Sequence, residues 1–449
     1  MRTIRYWARF LNAFLSRFKR LILGSIILGV IIFLLFWRFG NSLNFLKPTE
    51  TVGIVGRFSL EELPLSIQQE LSIGLTTLSE KGVPEAGLAQ TWESQEEGRI
   101  WVFRLKDYKW QDGTKIKAED INYRFRDAEK EIAGDDTVKF TLKDPFAPFP
   151  NVVSRPVFKK GLLGAGDWKV AKLTQITAQL NRSLTLQNTK TGKKKTYRFY
   201  DTEEAARTAF KLGQVTSLQD IVDPKDLLKW KNSKIDVQSH EDRYVGIFLN
   251  VKDQILSGKS VRQALAYAVN KDKFEESRAI SIIASNSWAF NPQVKEYKYS
   301  VEHAKELLSS LPTEQRSFTI NLATTPGLLM IADSIKEDWE QIGVKTNLQI
   351  SNTPSQSFQA LLAIQIIPSD PDQYNLWHST QSTGTNVTGY TNGDCCKESP
   401  RIDKLLENGR RTIDIEERKS YYFDFQRFLL EDLPVIPLIH PVSYNISRK

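Results

Sequence analysis

Between residues 331 and 350 the spacing of apolar residues changes period. Ile331, Ile335, Trp339 and Ile342 recur every three to four residues, as on one face of a helix. Val344, Thr346, Leu348 and Ile350 then alternate, as on one face of a strand. Gly343 stands at the change and supplies the backbone freedom that stops a helix. A helix that passes through one glycine into a strand must bury both apolar faces in adjoining layers, which predicts an α/β architecture.

Other segments fit that class. Alternation predicts strands over 49–58, 137–142 and 181–187, and residues 244–249 form a compact apolar strand. Residues 66–78 read as helical. Asp144-Pro145 breaks the second strand and opens a proline-rich loop to Pro156, and Gly192-Lys193-Lys194-Lys195 reads as a solvated hairpin tip. Asp201 with Glu204 fits a capping box for a helix ending near Gly213, and Ser260 is placed to cap a helix with Val261, Leu265, Ala268 and Val269 on one face. In 88–125, Trp101, Phe103 and Leu105 share a strand face, Tyr108 and Trp110 follow, and Asp112-Gly113 suits a tight turn. Ala118-Glu119-Asp120-Ile121 then reads as a helix start with its acids in the first turn.

The 449 residues are enough for two or more domains, and 41% hydrophobic with 25% charged residues is an ordinary globular balance. The net charge of +8 suggests nucleic acid until it is located. Arg2, Arg5, Arg9, Arg17, Lys19, Arg20 and Arg38 face no acid in the first 46 residues, leaving 54 basic against 53 acidic residues in the rest. The main body therefore carries a basic surplus of only one, too little for a nucleic acid. Residues 21–37, LILGSIILGVIIFLLFW, are uncharged and apolar, and at about 1.5 Å per residue they span about 25 Å, near the lower limit for a bilayer core. The preceding basic residues put the N-terminus in the cytoplasm, with Trp37 and Phe39 at the far interface. A cleaved signal peptide is the alternative, its best cut at Gly40-Asn41-Ser42. The expectation is a basic tail over 1–20, a signal anchor over 21–38, a linker over 39–49, and an extracytoplasmic body, so that the chain is a single-pass protein of the cell membrane.

The only cysteines are adjacent, Cys395-Cys396, which excludes a disulfide framework and leaves a vicinal disulfide or two free thiols. Four scattered histidines, His240, His303, His378 and His440, lack metal-ligand spacing, so no metal or other cofactor is expected. There is no Gly-x-Ser-x-Gly elbow, no His-Glu-x-x-His and no phosphate-cradling loop.

The order of residues says more than their periodicity. The 88–125 segment resembles the signature of family 5 extracellular solute-binding proteins, the peptide- and nickel-binding receptors of ABC importers. Further along, Gly164-Ala165-Gly166-Asp167-Trp168 is similar to that family's Gly-x-Gly-Pro-Tyr turn. Val261-Arg262-Gln263-Ala264-Leu265-Ala266-Tyr267-Ala268-Val269-Asn270 is similar to its most recognisable helix, and Ile342-Gly343-Val344-Lys345 and Leu433-Pro434-Val435-Ile436-Pro437-Leu438 to two later signatures. The resemblance implies a two-lobed, periplasmic-binding-protein-like fold with a hinge. Lobe I would cover 50–249, with an accessory subdomain at about 92–150, lobe II would cover 250–432, and 433–449 would return to lobe I. The stretch between residues 131 and 161 and the tail beyond Pro437 are shorter than is usual in the family. The implied function is capture of oligopeptides by a monomeric, membrane-tethered receptor that delivers them to an ABC permease, without enzymatic chemistry. Alternatives are a nickel chelate, sugar or opine as ligand, or a ligand sensor without a transport role.

Candidate site residues lie mainly in lobe II. Asp370 and Asp372 in Pro368-Ser369-Asp370-Pro371-Asp372 have three open readings: a glycosidase-like carboxylate pair, an Asp-Pro turn, or ligand recognition. On the resemblance, Asp370 matches the residue that pairs with a peptide's α-ammonium, although Ile367 stands where peptide binders often have an aromatic. Tyr244, Asn250, Trp288, Trp377, Asn386 and Tyr390 fall in segments that, by the same resemblance, line the cleft. Each aromatic among them also reads as a core residue.

Overall fold

The computed structural model describes residues 17–20, 24–25, 28–30 and 50–449, apart from 178–179, 275, 314–315, 354–357 and 392–400. The few described residues before Glu50 are helical. Most of the expected anchor at 21–37, the linker at 39–49 and Cys395-Cys396 lie outside the described residues. Among those described, no helix is long and apolar enough to cross a membrane.

From Glu50 onward the chain builds two principal sheets. The first has seven strands in the spatial order Ser233–Ser239, Val442–Arg448, Ser217–Ile221, Glu50–Val55, Lys194–Tyr200, Leu180–Asn188 and Trp168–Thr177. The second has five, in the order Lys345–Ile350, Thr319–Thr324, Ala360–Ile366, Arg243–Leu249 and Val435–Ile439. A four-stranded antiparallel sheet of Ala89–Gln95, Ile100–Leu105, Thr137–Leu142 and Ala128–Gly134 forms the accessory part.

The five-stranded sheet is covered on both faces. Val245, Ile247 and Leu249 enter a core with Val261, Leu265, Ala304, Ile335 and Trp339, from the helices Lys259–Ala268, Val301–Ser309 and Leu329–Gln341. Tyr244 and Phe248, pointing the other way, enter a second core with Leu406, Tyr422, Phe425 and Leu429, from the helices Arg401–Arg411 and Ile415–Asp432. The switch at Gly343 occurs as expected: the helix Leu329–Gln341 ends, Gly343 adopts φ 85°, and Lys345–Ile350 pairs in parallel with Thr319–Thr324.

Several expectations are corrected. The strand Arg243–Leu249 pairs with both Ala360–Ile366 and Val435–Ile439, so it belongs wholly to the second sheet. The chain therefore crosses between sheets at residues 240–242, not near Leu249-Asn250, and returns at residues 440–441, after Val435–Ile439. Burial of residues 244–249 fits this, because a strand paired on both edges, in a sheet covered on both faces, has little exposed surface. Ala118–Asp120 makes a single 3-10 turn and no longer helix follows. Tyr123 and Phe125 stack at 5.7 Å and pack against the same core, an extended spacing incompatible with a helix. Residues 66–78 divide into the helix Leu65–Leu71 and the strand Thr76–Leu78. Gly74 lies between them, so close to the 153–154 backbone that an added Cβ would meet Val153 O at 2.5 Å. The helix expected to start at Ser260 begins at Lys259, after Gly258. The cap of the 203–211 helix is Thr202, whose side chain accepts from the Ala205 amide.

The signature residues have structural duties. A Cβ on Gly164 would lie 2.1 Å from Leu71 O, and one on Gly166 2.4 Å from Glu70 O, so both glycines permit close backbone approach. Arg262, fully buried, donates through Nε and Nη2 to Asp432 O at 2.9 and 2.6 Å, and through Nη1 to Leu256 O at 2.7 Å. Its cation thus caps the C-terminus of Ile415–Asp432, where the helix dipole favours positive charge.

Candidate functional site

The two crossings are tied to each other by side chains. His240 Nε2 lies 2.7 Å from Ser443 Oγ, which donates to Asp220 Oδ1 at 3.1 Å. His440 donates through Nδ1 to Arg243 O at 2.8 Å, and its Nε2 lies 3.3 Å from Glu241 Oε2. Ser285 Oγ donates to the same Glu241 carboxylate at 2.6 Å.

Away from the crossings, lobe I and its accessory part meet lobe II along a seam. The Trp288 amide donates to Lys81 O at 3.2 Å and Asn286 Nδ2 to Glu80 O at 3.2 Å. Gly82, with φ 80°, lies against Ser369; a Cβ there would be 2.5 Å from Ser369 O. On the accessory side, the Ala147 amide donates to Arg410 O at 2.7 Å, and the Arg410 guanidinium lies over the rings of Tyr374 at 4.0 Å and Phe146 at 5.3 Å. Two of these hydrogen bonds join main chain to main chain, and Asn286 adds one from its side chain.

Asp370 lies just behind the seam, and its charge is already matched. Arg418 donates through Nη2 to Oδ1 at 2.8 Å and through Nη1 to Oδ2 at 3.2 Å, both side chains being buried. Burial pushes the Asp370 carboxyl above its ordinary range against the opposing pull of Arg418. Burial also works against the Arg418 charge, but the Asp370 carboxylate more than offsets it, so the guanidinium stays protonated. Arg418 Nε donates to Gly409 O at 2.8 Å, and the guanidinium lies 5.2 Å from the Trp288 ring centre. Asp372 is likewise held, by Arg410 Nη2 at 2.7 Å. Both carboxylates accept backbone amides two residues on, Asp372 N to Asp370 and Tyr374 N to Asp372, so the segment forms Asx turns. Two carboxylates each occupied by its own guanidinium do not form the free pair a glycosidase-like mechanism needs.

The remaining candidates gather on the same face of the five-stranded sheet, but mostly as interior. Tyr244, Trp377 and Tyr390 are buried in the second core, and Trp288 packs against it, half-buried, with Tyr422 edge-on at 6.0 Å. Tyr390 donates to Asp432 Oδ2 at 2.6 Å. Asn386 is buried and donates to Tyr390 O at 2.8 Å. Asn250 donates to Phe358 O at 3.1 Å and accepts from the Lys252 amide. Within the set, Trp288 has its own backbone bonded across the seam to lobe I. Sequence reasoning missed Arg418, Arg410 and Gly82. Arg418 had a readable signal: with Tyr422, Phe425 and Leu429 it occupies the apolar stripe of its helix, where an arginine needs a partner.

The chain is similar to known proteins. The chain is 24% identical to the dipeptide-binding protein of Escherichia coli (strain K12), over 85% of this chain and 84% of that one. Among solved structures it is similar to the oligopeptide-binding protein AppA of Bacillus subtilis in complex with a nonapeptide (TM-score 0.65, 20% identity, 90% of this chain and 95% of that one). It is also similar to NikZ of Campylobacter jejuni in complex with Ni(L-His) (TM-score 0.69, 21% identity, 89% and 94%). At such identities the structural likeness establishes the two-lobed fold. Residues 83–386 match the model of the bacterial extracellular solute-binding proteins, family 5, and the chain belongs to that family.

Proposed function

We propose that this chain captures oligopeptides outside the cytoplasm, closes its lobes over them and presents them to an ABC importer. The seam carries this reading. Two main-chain hydrogen bonds join lobe I to lobe II there, Trp288 to Lys81 and Ala147 to Arg410; main-chain groups are also what an extended peptide offers, and recognition through backbone groups leaves side-chain pockets permissive. Closure pivots on residues 240–242 and 440–441. Trp288, half-buried at the seam, is the candidate best placed to touch a ligand. With Arg418 on both its oxygens, Asp370 receives an α-ammonium only by giving up that guanidinium.

Thermal unfolding and native mass spectrometry of the purified full chain with a mixed peptide library test the reading. Peptide adducts with a raised Tm are expected; a chain that takes up no peptide in either measurement refutes it. Tethering through 21–37 is part of the proposal, and release of the chain from carbonate-washed membranes would count against it.

A further inference from the structure

Behind the strand Val435–Ile439 lies a narrow recess with about 20 Å³ of room, enough for one water-sized occupant. Its polar lining is mainly cationic: Lys271, Arg278 and Lys295, with Glu296 as the acidic residue among them. Ala279, Ile280, Leu430, Leu433, Ile436 and Pro437 supply apolar walls.

Two of the cations converge without an anion between them. Lys271, 6% exposed, donates from Nζ to Ala266 O at 2.8 Å and Tyr297 O at 3.0 Å. Arg278 Nη2 approaches the same Tyr297 carbonyl at 3.5 Å, and its Nε is buried with no hydrogen-bond partner among the described residues. Among those residues neither cation pairs with a carboxylate: Asp272, beside Lys271 in sequence, is exposed and acts on it only electrostatically, as does the buried Asp338, which is engaged by Lys273 at 2.6 Å and by the Asn270 amide at 2.8 Å. Lys295 is paired outward, 3.3 Å from Glu431. An orphaned N–H, a buried ammonium and a space for one small occupant are complementary to a compact anion, which would accept from both groups and offset their mutual repulsion.

We propose that the recess between Lys271, Arg278 and Lys295 binds a single small inorganic anion of halide size. Arg278 also bridges through its backbone to Ile439, one residue before the second crossing, so the bound anion braces the strand that enters the hinge. Burial, aided by Arg278, lowers the Lys271 pKa to about 7, so the anion is held more tightly below that pH, where the amine is protonated.

The experiment combines bromide anomalous diffraction from crystals of the full chain with thermal unfolding in sodium chloride against sodium gluconate at equal ionic strength. An anomalous peak is expected within hydrogen-bonding reach of Lys271 Nζ and Arg278 Nε. The Tm in chloride should exceed that in gluconate by about 2 °C or more at pH 6. The gain should shrink at pH 9 and vanish in Arg278→Gln. The absence of a peak overturns the proposal, as does a chloride effect unchanged in Arg278→Gln. A peak without any chloride-specific gain marks an adventitious ion only and also overturns it.

Discussion

At the scale of single residues, Asp370 and Arg418 decide how the site is read. A carboxylate and a guanidinium, both buried and doubly bonded, offset each other's desolvation, and removing one leaves the other charged in the interior. Asp370→Asn is therefore expected to cost about 3–5 kcal/mol of stability, and Asp370→Asn with Arg418→Met to recover most of it. Urea unfolding of both variants checks this. A single variant as stable as the parent would show that the pair is not held in solution. Peptide titration of Asp370→Asn by calorimetry then separates two roles. Unchanged affinity makes Asp370 a structural anchor for Arg418, and a loss of tenfold or more makes it the receptor for the ligand's amino group.

At the scale of elements, what could be read from sequence followed the range of the interactions. The helix Leu329–Gln341 and the strand Lys345–Ile350 were legible because periodicity and Gly343 are local signals. The Arg418 pairing was not, because its partner lies 48 residues away and no local pattern names it. The site aromatics were expected, by resemblance, to line the cleft, but sequence cannot tell a cleft wall from the core behind it, and Tyr244, Trp377 and Tyr390 are core. Arg262 shows the same limit: its helix was recognisable, while its duty to cap Asp432 O, 170 residues away, was not. Arg262→Met is expected to destabilise the protein by about 3 kcal/mol, since the carbonyls of Leu256, Ser257 and Asp432 would lose a charged donor in the interior. Urea midpoints measure it. The 3-10 turn Lys271–Lys273 gives a pH prediction. Lys271 titrates near 10.5 when unfolded and at about 7 when folded, chiefly through burial. Between those values the unfolded chain binds more protons, so this group makes stability rise with pH from about 7 to 10.5 and flatten outside that window. Calorimetric Tm values across the window, measured in gluconate, should rise for the parent and rise less for Lys271→Met; parallel curves would disprove the assignment.

At the scale of the whole molecule, the order of signatures predicted two lobes and a double crossing, and the structure shifted the crossings so that Arg243–Leu249 and the edge strand Val435–Ile439 both lie in the second sheet. The crossings are short and cross-strapped through His240, Glu241, His440 and Ser443, and each lobe keeps its own core, so the proposed closure would turn on these two segments. What holds the lobes together at the far side is the seam, and Gly82 is its tightest point. A side chain at Gly82 carries two costs: a positive φ of 80° and a Cβ 2.5 Å from Ser369 O. Gly113 separates them, because its φ of 85° is similar but nothing lies within 4 Å of its would-be Cβ. Both Gly82→Val and Gly113→Val should lose stability through backbone strain, each by about 1–3 kcal/mol. Only Gly82→Val should wedge the lobes apart, raising the radius of gyration in small-angle scattering and weakening ligand capture through the cost of closing against a clash. If the two variants scatter alike and bind alike, the seam is not the surface on which this protein closes.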